Sequence, residues 1–316
     1  MSKDNFYILS DIGGRAENQD FVLTQATEFG FAMIVCDGMG GANGGRLASE
    51  TAAITIADFF NSHQLDSYED ERLYFLNLVE SAIKKANQKV YDLSQSKPEL
   101  HGMGTTACVV LLRRNKAYFG HVGDSRIYHI NGKQFRHTED HSRVFEMYKN
   151  DILSLEQARN HPESNIITRA LGIKSDVQGN YEEVSVNIGD RLILCTDGIW
   201  GIYPEKTLIK FFTAKDSLQQ ICERLIDEIN KKCNEEGKKH DNLSIGIIEV
   251  TDIKVASNDG QNEIIIEEIQ NTNTPNLNLD TNKYKRNFTS SYILLAILML
   301  ALIALLLFAA GVFSYG

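Results

Sequence analysis

The sequence predicts an α+β domain in which amphipathic helices cover antiparallel sheet, and three observations carry that prediction. Short apolar runs are broken repeatedly by Gly, Asp and Asn, the pattern of strands joined by turns. Asn131-Gly132 follows one such run and is a strong two-residue hairpin signal, so neighbouring strands run antiparallel. Residues 46–61 and 76–93 instead space their apolar side chains in threes and fours, which is helical.

In chain order, residues 7–10 and 21–23 read as strands. The connection between them, Asp11-Ile-Gly-Gly-Arg15-Ala-Glu17-Asn18-Gln19-Asp20, collects one arginine with acidic and amide groups in a glycine-containing loop. The run Phe-Ala-Met-Ile-Val-Cys at 31–36 is a buried strand, ended by Asp37-Gly38-Met39-Gly40-Gly41-Ala42-Asn43-Gly44-Gly45. Asp37 therefore stands at a strand mouth beside exposed backbone carbonyls, a setting that suits a hard cation such as magnesium or manganese. An isolated Asp-Gly is an ordinary turn. Here it recurs, because residues 191–195 form a second apolar strand that leads into Asp197-Gly198.

Ala48, Ala52, Ile56 and Phe59 give the first helix; Leu76, Val79, Ile83, Ala86, Val90 and Leu93 give a second, longer one. Both should cover a sheet. From Thr105 the period changes, and 105–112, 116–122 and 126–130 read as strands, with Gly123-Asp124-Ser125 placing another carboxylate at a strand end. Residues 139–172 are irregular, with short helical patterns at 144–150 and 154–160, and read as a flap whose neighbouring histidines 137, 141 and 161 are solvated. Residues 184–186 and 191–195 form a further hairpin across the turn 187–190. Ser217 with Gln220 is a capping box that opens the last helix, and Asp241-Asn242 opens the final strand, 243–250.

Composition bounds the function. A hydrophobic fraction of 43% suffices for a packed core, and the net charge of −10 argues against a nucleic-acid partner, which calls for a basic stripe. The five cysteines form no Cys-x-x-Cys pair and read as reduced, buried thiols rather than a zinc site or disulfide framework. The N-terminus shows no signal-peptide pattern. Residues 251–291 shift to Asn, Thr, Asp and Ser and read as a flexible polar linker. Residues 292–313 hold no charged residue, and as a helix they would be about 33 Å long, enough to span a bilayer. Lys283, Lys285 and Arg286 precede that span, so the expectation is a single-pass membrane protein with its folded domain, residues 1–250, in the cytosol.

Asp37, Asp124, Asp197 and Asp241 lie far apart in the sequence, yet each sits at a strand boundary. Should those ends converge, the four like charges repel unless cations neutralise them, which points to a multinuclear metal site. Two hard cations can clamp a hydroxide and stabilise in-line displacement at phosphorus, and the planar fork of Arg15 suits phosphate oxygens.

Taken together, Ser10-Asp11-Ile-Gly with Arg15 and Asn18-Gln19-Asp20, Asp37-Gly-Met-Gly-Gly41, Gly104-Thr-Thr106, Gly123-Asp-Ser-Arg126, Ile167-Thr-Arg-Ala-Leu-Gly172, Thr196-Asp-Gly198 and Asp241-Asn242 resemble the ordered motifs of the PPM-type (type 2C) metal-dependent serine/threonine protein phosphatases of bacterial type. The resemblance implies a four-layer αββα sandwich and hydrolysis of phosphoserine and phosphothreonine on proteins by a metal-bridging hydroxide. It implies that Asp37, the Gly38 carbonyl, Asp197 and Asp241 hold two Mn²⁺ or Mg²⁺ ions and that Asp124 with Asp197 holds a weaker third. Arg15 would bind the substrate phosphate, and Gln19, Asp20 and Asn242 would orient metal-bound water. Two positions depart from the pattern: Gln19 stands where the family usually has Glu, and Met39 where many eukaryotic members have His. The implied setting is a monomeric catalytic domain acting on phosphoproteins, possible partners including a membrane serine/threonine kinase. The competing expectation, supported by Gln19 alone, is a catalytically silent scaffold that recruits partners at the membrane.

Overall fold

The computed structural model describes residues 5–251 apart from 42–43, 66, 133 and 160. The linker from 252 and the span expected at 292–313 lie outside the described residues. Among the described residues no helix is long and apolar enough to cross a membrane.

Two antiparallel sheets form the centre. One has β1 (Phe6–Asp11), β7 (Arg126–Asn131), β8 (Gln134–His137), β10 (Arg191–Cys195) and β11 (Leu243–Glu249), in the order β1-β11-β10-β7-β8. The other has β2 (Asp20–Thr27), β3 (Gly30–Met39), β5 (Ala107–Arg113), β6 (Lys116–Val122) and β9 (Asn180–Ser185) in sequence order, with the short β4 (Gly104–Thr105) on the end of β3.

The alternation along each strand decides what each face meets. Ile34 and Cys36 of β3 pack against α1 (Gly44–Ser62) and α2 (Glu71–Ser96), while Met33 and Val35 face the other sheet. In β10, Ile193 and Cys195 meet α6 (Glu205–Phe212) and α7 (Leu218–Glu235), while Leu192 and Leu194 join the core between the sheets. With both faces buried, these strands are apolar throughout, which is why they read as unbroken runs. The result is the expected αββα sandwich. The predicted capping box is present, Ser217 Oγ accepting from the Gln220 amide, and Asp70 caps α2 by accepting from the Leu73 amide.

Two predicted connections differ. The turn at 187–190 does not close a hairpin, because β9 pairs with β6 and β10 with β7 and β11. It carries the chain from one sheet to the other, held by Asp190, whose Oδ2 accepts from the Asn187 amide and faces His129 Nε2 at 2.8 Å. Gly123-Asp124-Ser125 likewise crosses between sheets from β6 to β7. The hairpin at Asn131-Gly132 does form, pairing β7 with β8. The flap contains α3 (Arg143–Lys149) and α4 (Leu155–Arg159), close to their predicted places, whereas α5 (Asp197–Trp200) and α6 are additions the periodicity did not show.

Candidate active site

Strand register brings the predicted residues to one end of the sandwich. Asp11 is opposite Leu243, Cys195 is opposite both Arg126 and Ile245, and Asp20 is opposite Asp37. The end of β1, the starts of β2, β7 and β11, and the ends of β3 and β10 therefore share an edge. Asp124 precedes β7, Asp197 follows β10, and Asp241 precedes β11, so all of these carboxylates crowd that edge.

Their electrostatics show the crowding. The Asp37 carboxyl is held well above the usual range, first by burial and then by the charges of Asp20, Asp197, Asp124 and Asp241. Asp124 is raised as well, by burial and then by Asp197 and Asp140. Burial pushes Asp197 up to about 6; Asp241 adds to this, and the Gly198 amide and Arg15 oppose it. Burial also lifts Asp20 to about 7 despite hydrogen bonds from Ser244 and Thr196, with Asp197 and Asp241 contributing. Opposed carboxylates on paired strands, as at Asp20 and Asp37, are unfavourable without a counter-charge. Asp197 Oδ1 is buried and, among the described residues, accepts no hydrogen bond. Among the described residues, no three acidic, imidazole or thiol side chains are gathered as a ready-made ligand set for one ion. Asp241 is instead turned onto Arg15, with which it forms an ion pair.

Backbone and amide contacts hold this edge together. Asn242 Oδ1 accepts from the Gln19 amide at 2.9 Å, and its Nδ2 donates to the carbonyls of Ile12 and Glu17 at 2.8 and 2.9 Å, so it spans the whole Arg15 loop. The Gln19 carbonyl accepts from the Gly38 amide at 3.1 Å and from Ser49 Oγ at 2.6 Å. Gly38 has to be glycine on contact grounds, since a Cβ there would lie 2.0 Å from the Gly45 carbonyl oxygen. Asp20 Oδ2 accepts from Thr196 Oγ1 at 2.9 Å and so ties the two sheets beside the carboxylates.

Other residues at this edge had no role assigned to them from the sequence. Arg126 grips Asp140 with two 2.8 Å hydrogen bonds and lies 3.7 Å over the Trp200 ring, and Trp200 Nε1 donates to the Asp124 carbonyl at 3.0 Å. His141 is not solvated: it is buried, and its Nδ1 accepts from the Gly123 amide at 3.1 Å. His137 is 3.0 Å from Glu205, and His161 Nδ1 accepts from the Glu163 amide. The sequence signal for His141 was its place in Asp140-His141-Ser142, directly ahead of a predicted helix.

Thr106 links two of the acidic segments: its Oγ1 accepts from the Asp37 amide at 2.9 Å and lies 2.7 Å from Ser125 Oγ. Thr106→Val keeps the shape but leaves the Asp37 amide without that acceptor. A loss of about 1–3 kcal/mol is expected by chemical denaturation, and an unchanged midpoint would show that the hydroxyl carries no structural weight.

Fold and site together define a class, an αββα hydrolase whose sheet edge presents buried carboxylates beside an arginine. The Protein phosphatase 2C family profile matches residues 10–240. Protein phosphatase PhpP of Streptococcus pneumoniae is 33% identical over 248 residues, 78% of this chain and 97% of that protein. The S. agalactiae serine/threonine phosphatase structure superposes with a TM-score of 0.70 at 29% identity, over 78% of this chain and 98% of that one. The catalytic domain of the serine/threonine protein phosphatase PstP, solved in complex with two manganese ions, gives a TM-score of 0.66 at 25% identity, over 78% of this chain and 98% of that one. The chain belongs to the protein phosphatase 2C family, the PPM-type serine/threonine protein phosphatases, in its bacterial form.

Proposed function

We propose that the chain removes phosphate from phosphoserine and phosphothreonine on proteins, using two divalent ions, Mn²⁺ or Mg²⁺, held by Asp37, the Gly38 carbonyl, Asp197 and Asp241. The carrying observation is that carboxylates from distant segments meet at one sheet edge and raise one another's pKa. An acidic cluster so poorly compensated is a site for cations. The buried, unpartnered Asp197 Oδ1 fits the same role, since a cation or its water supplies what that oxygen lacks. The manganese held by PstP supports the choice of ion. Ions of the magnesium type are bound through one or two carboxylates with water completing the shell, so three acidic groups around one ion are not required.

When bound, such a pair of ions lowers the pKa of water towards 7 and neutralises charge developing at phosphorus. The protein's own groups do the rest. Arg15, now paired with Asp241, offers its fork to phosphate oxygens once a cation takes over that carboxylate. Gln19 and Asp20 orient water behind the ligands, with Gln19 contributing an amide dipole in place of a charge, while Asn242, engaged by Gln19, Ile12 and Glu17, holds the Arg15 loop and keeps one Oδ1 lone pair for water. Asp124, close enough to Asp197 for their charges to couple, is the candidate for a third, weaker ion.

The reading assigns catalysis to residues 1–250, a linker to 251–291 and a membrane helix to 292–313, with the positive residues before that helix keeping the catalytic domain in the cytosol. Its substrates are then phosphoproteins at the membrane, a serine/threonine kinase among the candidates. One experiment tests both parts. The full chain is expected to sediment with membranes and to release phosphate from a phosphothreonine peptide in Mn²⁺ but not in chelator. Turnover that survives chelation removes the metal reading; Mn²⁺ binding without turnover favours the silent scaffold; activity confined to the soluble fraction removes the anchor.

A further inference from the structure

Asn230 is polar where α7 turns an apolar face to the sheet, since Ile226, Ile229 and Cys233, within one helical turn of it, are all buried. Asparagine is a weaker helix former than alanine or leucine, and a polar residue on a core-facing stripe breaks the binary pattern. Such local violations concentrate at functional sites. The Asn230 side chain is used at both ends. Its Nδ2 donates to Asp11 Oδ1 at 3.2 Å, and its Oδ1 lies 2.6 Å from His240 Nε2, which donates to it.

Those two partners lead to the two halves of the candidate site. Asp11 Oδ1 also accepts from the Gly13 amide at 2.8 Å, fixing a turn in which Gly13 has φ +58° and packs so tightly that a Cβ would lie 2.1 Å from the Asp241 carbonyl oxygen. That turn leads directly into Arg15, whose amide donates to the Ile12 carbonyl. On the other side, His240 immediately precedes Asp241. Arg15 and Asp241 then meet as an ion pair.

We propose that Asn230 is a positioning residue that holds the loop carrying Arg15 and the segment carrying Asp241 in register, so that the guanidinium and the carboxylate are presented to the cleft together. The inference rests on the roles proposed above for Arg15 and Asp241. A merely structural asparagine would affect stability alone.

The test uses the full chain. Asn230→Ala removes both hydrogen bonds, and Mn²⁺ affinity by titration calorimetry is expected to fall by up to about 10-fold, the lower end of what removing a group bonded to a metal ligand costs, because Asn230 reaches Asp241 only through His240. The kcat/KM for a phosphothreonine peptide should fall with it, while the circular dichroism spectrum stays that of the wild type. Asn230→Asp keeps an acceptor for His240 but sets an anion against Asp11, so KM for the peptide should rise while Mn²⁺ affinity is retained. That split separates the Arg15 arm from the Asp241 arm, and it decides the matter if the alanine variant fails to fold. Wild-type Mn²⁺ affinity and KM in the folded variants overturn the positioning role alone. A wild-type chain that binds no Mn²⁺ overturns the proposed metal site and this inference together.

Discussion

Asp37→Asn is expected to cost about 10²- to 10³-fold or more in phosphate release, the scale of losing one preorganised electrostatic group, and at the same time to make the metal-free chain more stable. The two effects share a cause. Asp37 is burdened first by burial and then by four neighbouring aspartates, so in the absence of cations its ionised form is strongly disfavoured at the sheet edge. Asparagine is nearly isosteric with the protonated acid and carries no charge, so it removes the repulsion without opening a cavity. A gain of about 1 kcal/mol would raise the melting temperature by roughly 2–4 °C for a domain of this size. In saturating Mn²⁺ the order should reverse, because the wild type gains binding energy that the variant forgoes. Melts in chelator and in Mn²⁺, run beside the peptide assay, check all three statements. A variant that loses activity and also melts lower in chelator would recast Asp37 as a structural residue. Sites that trade stability for activity in this way are common among enzymes.

What made this edge legible was chain punctuation. Asp37-Gly38 and Asp197-Gly198 follow apolar strands, Asp241-Asn242 precedes one, and Gly123-Asp124-Ser125 sits between two, so their shared position needed only sheets that align these ends. Which sheet each strand joins was not legible. Strand period distinguishes one face from the other, but here both faces are buried, and nothing local to 187–190 distinguishes a hairpin turn from a crossing between sheets. Asp190 decides it through His129 and Asn131 on β7, partners sixty-one and fifty-nine positions away. The supporting residues were hidden for the same reason. Arg126, Asp140 and Trp200 acquire meaning only through contacts across the fold, and His141 became a buried acceptor because the Gly123 crossing was folded onto it. In the sequence Asn230 is one polar position in a well-capped helix, and its role is defined only by Asp11 and His240 at either end of its amide.

The stabilisation conferred by Mn²⁺ is expected to grow between about pH 5 and pH 7.5, and the sign follows from proton linkage. Asp197 and Asp20 are shifted up to about 6 and about 7, so between the unfolded carboxylate range near 4 and those values the metal-free native state holds more protons than the unfolded chain. Its stability therefore falls as pH rises through that window. A carboxyl moved from near 4 to about 6 accounts for ~3 kcal/mol by this route. Two histidines work the other way. Burial lowers His121 to about 4 and His141 to about 3, so their contribution is complete above the unfolded value near 6.5 and is lost as pH falls below it. A bare melting curve against pH would mix the two trends. The difference between melts with and without Mn²⁺ cancels the histidines, which titrate alike in both, and leaves the carboxylates, which must shed their protons to bind a cation. That difference should be small at pH 5 and several degrees larger at pH 7.5, with protons released on adding Mn²⁺ to a weakly buffered sample near pH 6. A difference that stays flat across the range would mean that cations do not bind where these aspartates meet.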